Sequence, residues 1–240
     1  MPEQIKVPLP KFNRPAKPVM DIVDIEPAIP RLVDCGEYND KPINVMIPVY
    51  EATPTLARTL WSIQTTTDMP LRVIVYAFKQ SVAKNRNACI ELTGDGLRCF
   101  ADDDILLPPN WASKMAAVLA NRKDVGVVAP RMTGTNLLAQ NDLANVPAGE
   151  IRPCRPPGTL FMYDPTRMNG CAFDEGYIAS QWEDTDFMRQ IEVAGLTNVC
   201  TGDVWILHEM NLTQANGVVW NTNKEYYTKK WGGEEDSCQN

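Results

Sequence analysis

The sequence predicts an α/β chain with a mostly parallel central sheet, Rossmann-like and covered by helices on both faces. Two observations carry this expectation. Short apolar runs without polar alternation suit strands buried on both sides. Between them lie segments whose apolar residues recur at helical spacing, so strands and helices alternate along the first half of the chain. There is no internal repeat.

Residues 1–42 are rich in proline and lack periodicity, and read as an extended arm that packs on the surface or stays mobile. "INVMIPV" (43–49) reads as the first buried strand. The helix over 53–66 starts with Thr53 as N-cap and Pro54 at the first helical position, and spaces Leu56, Leu60 and Ile63 along one face. "LRVIVYAF" (71–78) reads as a strand, 81–93 as a helix capped by Ser81, and "LRCFA" (97–101) as a third strand. The helix over 110–122 gathers Trp111, Met115, Val118 and Leu119 on one side, and a fourth strand follows at 125–130.

The second half is less regular. Residues 131–157 read as a long loop, 158–163 as a strand, and 182–195 as a helix with acidic residues near its start. "VWILH" (204–208) is a strand ending in the only histidine, and 219–231 reads as a helix before a fraying tail. The expected organisation is an arm (1–42), one domain (43–218) and a C-terminal helix and tail (219–240).

Composition narrows the function. A chain of 240 residues with 44% apolar content supports a real core. No apolar run approaches the ~20 residues of a membrane span, and the N-terminus lacks the apolar core of a signal peptide. The seven cysteines are scattered with no C-x-x-C pair, which argues against a zinc ribbon and fits a reducing cytosol. Cytoplasmic residence is expected, with peripheral membrane association compatible. A net charge of -7 argues against a general nucleic-acid coat. Three local basic groups (Lys11, Arg14 and Lys17; Arg152 and Arg155; Lys224, Lys229 and Lys230) read as solvated surface.

The stretch that carries chemistry is "FADDDILLPP" (100–109). In a parallel α/β sheet, ligands bind beyond the carboxyl ends of the strands, and the three aspartates follow the third strand. Alternation along extended backbone lets Asp102 and Asp104 face one ligand, with Asp103 turned aside. Two converging carboxylates call for a cation, and Mg2+ or Mn2+ takes such oxygens while bridging to phosphates. The bland alternative is a turn or helix-start cluster ahead of Pro108-Pro109. His208 also ends an apolar strand; a lone histidine is more often structural, although imidazole suits Mn2+. Glu183 and Asp184 either complement a helix dipole or supply a general base.

Five segments, in order, resemble a glycosyltransferase of the GT-A fold, most like family 2: "INVMIPVYEATPTLARTLWSI", "SVAKNRNACIEL", "FADDDILLPPNW", "NGCAFDEGYIASQWEDTDFMRQIEVAG" and "VWILHE". The resemblance implies a donor-binding set of Pro48, Tyr50, Glu51, Arg86, Asp102 and Asp103. It implies a metal site at Asp104 and His208 with Asp102 beside it. It makes Asp184 the catalytic base, with Glu183 shaping the sugar or acceptor pocket. The implied cofactors are Mn2+ or Mg2+ and a nucleotide-sugar, with a UDP-sugar as default. The family's usual acid after the second strand is absent from "VIVYAFKQS", which leaves base recognition by that route unsupported. The acceptor class is open: a glycan foremost, then a lipid-linked sugar, a protein or a hydroxymethylated DNA base. The rival reading is a haloacid-dehalogenase-like phosphohydrolase using Asp102 and Asp104, but its motif normally follows the first core strand and here two βα units precede it.

Overall fold

A computed structural model describes residues 19–51, 53–133, 145–209 and 217–232, apart from the side chains of 217 and 218. The core strands are β2 (Ile43–Val49), β3 (Leu71–Ala77), β4 (Leu97–Ala101), β6 (Val125–Thr133) and β9 (Thr197–His208), all running the same way. The edge strand β1 (Val19–Ile25) and β8 (Leu160–Tyr163) run against them, as do the short β5 (Ile105–Leu106) and β7 (Ile151–Pro153). The sheet order is β1-β3-β2-β4-β8-β6-β9-β5, with β7 on β9.

Helices cover both faces, as the mainly apolar strands require. Along β4, Leu97, Cys99 and Ala101 face a core shared with α1 (Pro54–Thr66) and α3 (Trp111–Asn121), where Ile63, Trp111 and Met115 are buried. Phe100 faces the other way, into an aromatic layer with Phe161, Phe173 and Phe187. That layer is closed by α2 (Val82–Glu91) and α4 (Glu183–Val193). The C-terminal helix α5 (Gly217–Trp231) docks on the start of α4 through Trp182, Trp220 and Tyr227.

Three differences from the sequence expectation have physical causes. First, the segment read as a proline-rich arm contains β1, which pairs antiparallel with β3 over its whole length. Five of its seven residues are apolar (Val19, Met20, Ile22, Val23 and Ile25), but six of the seven are exposed, and the run adjoins proline-rich sequence with which it reads as one arm. Second, β8 enters antiparallel between β4 and β6, a pairing direction that local pattern does not encode. Third, the last strand starts at Thr197 rather than 204: its first half carries Asn198 and Thr201, both buried, and Asn198 donates to Met188 O (2.9 Å) instead of breaking the strand. Within the expected long loop, β6 continues to Thr133 and β7 occupies 151–153, while 134–144 lie outside the described residues. The first basic group, Cys238 and the tail beyond 232 also lie outside them.

Candidate active site

The aspartates occupy the turn from β4 into β5, at the carboxyl edge of the sheet. The turn is fixed at both ends by the main chain. Asp102 N donates to Thr159 O (2.8 Å), and Glu209 N donates to Asp104 O (2.8 Å). Because β5 pairs with the end of β9, Ile105 sits opposite His208, which brings the histidine to the aspartates.

His208 Nε2 lies 3.1 Å from Asp104 Oδ1 and 3.8 Å from Asp102 Oδ2. One donor atom from each of the three residues falls within 4.8 Å of the others. Asp104 and His208 are buried, and Asp102 is partly open. Asp103 accepts from Thr53 Oγ1 (2.6 Å); the aspartates lie in a turn and not in the extended backbone that the expected alternation requires. Thr53 does stand at the N-cap position of α1, but its hydroxyl serves this carboxylate rather than a helix N–H. Burial pushes the Asp102 carboxyl up to about 7, against the pull of His208 and Arg86. Burial likewise raises Asp103 against its Thr53 hydrogen bond. For His208, burial favours the neutral ring, but the neighbouring Asp104 and Asp102 outweigh it and raise the pKa.

This donor set fits a hard divalent cation: two carboxylates with an imidazole nitrogen. Nε2 is the ring nitrogen aimed at the carboxylates; Nδ1 is buried without a hydrogen-bond partner.

A second constellation adjoins the first through Gly158 and Thr159. Glu183 and Asp184 open α4. Glu183 is buried and forms an ion pair with Arg86 (Oε1 to Nη1, 3.0 Å), itself buried between the rings of Phe100 and Phe173. Arg86 Nη2 donates to Gly158 O (3.1 Å), and Gly158 N donates to Asp184 Oδ2 (2.7 Å). Asp184 Oδ1 accepts from Thr185 N (2.8 Å). Burial, then the adjacent Asp184, push the Glu183 carboxyl up to about 7 against the opposing Arg86. Glu183 Oε2 has no hydrogen-bond partner although buried, so one acceptor atom of this group remains unused.

The structure brings most of the sequence-selected residues to one edge. Pro48 lies in β2, and Tyr50 and Glu51 follow it. Tyr50 is exposed, and Lys79 reaches both its ring (5.5 Å to the centroid) and Glu51 Oε2 (2.5 Å). Arg86 is the departure from expectation. Expected near the diphosphate or sugar, it is buried with both Nη atoms engaged inside the protein. Sequence reasoning missed Gly158. A Cβ built there would come within 2.0 Å of Arg86 Nη2, so this position needs glycine for space; "PPG" signals only a turn.

No protein-family model matches the chain, and no curated protein matches it by sequence. Solved structures do. GalNAc-T7 crystallised with UDP, GalNAc and Mn2+ superposes with a TM-score of 0.57 at 12% identity, over 82% of this chain and 52% of that one. TarS 1-349 of S. aureus gives 0.51 at 17% identity, over 68% of this chain and 60% of that one. A197 from STIV gives 0.50 at 10% identity, over 71% and 86%. The chain thus spans only a little over half the length of the first two. At these identities the likeness establishes architecture, and the architecture is the GT-A fold of the glycosyltransferases GalNAc-T7 and TarS.

Proposed function

We propose that the chain is a metal-dependent glycosyltransferase of family-2 type, moving a sugar from a nucleoside-diphosphate donor to an acceptor hydroxyl with inversion. The observation that carries this reading is the convergence of Asp102, Asp104 and His208 at the carboxyl edge of a GT-A sheet. The neighbour bearing UDP and Mn2+ supports the donor and ion classes, with a UDP-sugar as default.

Asp104 and His208 hold the cation, with Asp102 completing its site or meeting the ribose. When bound, the divalent cation supplies positive charge beside the departing nucleoside diphosphate. Pro48, Tyr50 and Glu51 border the nucleotide. Asp184 takes the proton of the acceptor hydroxyl as that oxygen attacks the anomeric carbon, and direct displacement inverts the configuration. Its two main-chain hydrogen bonds fix the carboxylate's direction while leaving lone pairs for the hydroxyl. Arg86 and Gly158 act indirectly, by positioning Glu183 and Asp184. Residues 43–218 form the catalytic unit. A glycan is the leading acceptor class; a hydroxymethylated DNA base would reveal itself by strongly salt-dependent duplex binding.

The test is a screen of nucleotide-sugars with Mn2+, scored for nucleoside diphosphate release with and without candidate acceptors. Asp184→Asn is expected to lower transfer by about 100- to 10,000-fold with donor binding retained. Strong residual transfer, or phosphate release from simple phosphomonoesters in place of diphosphate release, would count against the reading.

A further inference from the structure

The backbone leading into the acid pair is strained. Ala179 (φ 53), Gln181 (φ 80) and Trp182 (φ 73) all adopt the left-handed region, which residues bearing a Cβ avoid. Trp182 is also the N-cap residue of α4, immediately before Glu183 and Asp184. Such conformations persist only where the surroundings over-determine them.

Asn223 of α5 supplies most of that determination. Its side chain is buried, and it meets four main-chain groups of the loop. Oδ1 accepts from Ile178 N (3.0 Å), and the two Nδ2 hydrogens are shared among the carbonyls of Ile178 (2.9 Å), Ser180 (3.1 Å) and Gln181 (3.0 Å). Two further contacts help: Ala179 O accepts from Val82 N at the start of α2 (2.7 Å), and Trp182 packs on Trp220 and Tyr227. Only an amide offers this loop an acceptor and two donors from one short side chain.

We propose that Asn223 is a positioning residue for the transfer reaction. It holds residues 179–182 in their left-handed path and so sets the direction in which Glu183 meets Arg86 and Asp184 meets Gly158. This rests on the reading that Asp184 takes the acceptor's proton. The side-chain bonds of Asn223 go to the loop and not to Asp102, Asp104 or His208, so its loss acts on the acid pair and spares the cation site.

Asn223→Ala and Asn223→Asp test this on the full chain; the second keeps the acceptor and removes both donors. Trp231→Phe is the control. It loosens α5 by deleting the Nε1 bond to Asp186 Oδ1 (2.8 Å), keeps an aromatic ring against the Tyr177, Trp182 and Tyr227 cluster, and leaves the Asn223 bonds in place. Hydrogen exchange reads the Gly158 amide, which reports on Asp184 from outside the loop and needs no turnover. Well below the melting temperature, both Asn223 variants are expected to speed that exchange and to lower kcat, each by about tenfold or more. Donor KM and Mn2+ affinity stay within about twofold, and Trp231→Phe moves neither exchange nor kcat. Unchanged Gly158 exchange in both Asn223 variants, or an equal change in Trp231→Phe, overturns the proposal. If the wild type turns over no nucleotide-sugar, the glycosyltransfer reading fails, and the exchange comparison alone decides whether Asn223 positions the pair.

Discussion

The metal rim and the acid pair share one edge of the sheet but are built on opposite electrostatic plans. At the rim, three consecutive aspartates meet one imidazole, and Arg86, whose charge acts on Asp102, is paired with Glu183. The acid pair, in contrast, is held mostly from within: Arg86 pairs with Glu183 Oε1 while Oε2 stays without a partner, and main-chain N–H groups hold Asp184. One turn of helix further on, Asp186 is fully buried yet takes Lys230, Trp231 and Gln190. On the proposed reading, the contrast separates a place that would take an external cation from one that holds a direction; clustered carboxylates mark the first, and internally paired ones the second.

The sharpest way to break this comparison is at the rim. Asp104→Asn should weaken Mn2+ binding by about 100-fold or more, because one charged ligand is lost and its hydrogen bond to His208 is altered. Mn2+ titration followed by electron paramagnetic resonance measures this. The thermal stabilisation that saturating Mn2+ gives the wild type should vanish with it; a variant that keeps both would remove the distinction between the two regions.

A smaller effect is expected at the acid pair, and on folding rather than on the cation. Arg86→Met leaves Glu183 buried opposite an apolar side chain and should cost about 3–5 kcal/mol. Adding Glu183→Gln should return part of that loss, because the uncompensated charge is gone. Gly158→Ala reaches the same pair by crowding Arg86 and should cost about 1–3 kcal/mol. Denaturant unfolding gives these values, and unchanged stability in Arg86→Met would show that the pair is not held as described.

The smallest effect lies furthest from the site. Burial raises the Asp174 carboxyl, but the Lys230 ammonium, Gly176 N and Tyr226 outweigh it and hold the pKa below the ordinary value. A lowered folded pKa means stability that is present above the unfolded value and lost as pH falls through the folded one. Asp174→Asn should therefore destabilise α5 docking near neutral pH by less than about 1 kcal/mol. Variant and wild type should converge in acid, below the carboxylate range. Melting curves across pH measure the difference; a gap that widens in acid would reverse the sign argued here.

How much was legible in the sequence follows the same division. The strands at 43–49, 71–77 and 97–101 could be read almost to the residue, since each is a short, mainly apolar run between turn signals, broken near its start by Asn44, Arg72 or Arg98. The meeting of Asp102 and Asp104 was legible from their place after a strand, although a plain turn has the same composition; that His208 joins them depends on the pairing of β5 with β9. The acid pair was legible only as residue types. Arg86 and Glu183 meet through tertiary structure, and no spacing rule links them. The left-handed path of Gln181 and Trp182 opposes the preference of both residue types, so it is set by α5 and not by the local sequence. β1 escaped for a third reason: its apolar residues are exposed on an edge strand held by ladder hydrogen bonds to β3, and they sit beside proline-rich sequence that reads as an arm.

The two-residue ladder between β5 and the end of β9 has a consequence for assembly. Asp104 belongs to the middle of the chain and His208 to the last strand of the sheet, so the side chains proposed to hold the ion stay apart until that strand has docked. Closing so long a loop is among the slowest contacts a chain of this topology makes. Cation affinity should thus emerge late during refolding, and the moment Mn2+ is captured would serve as a clock for completion of the sheet.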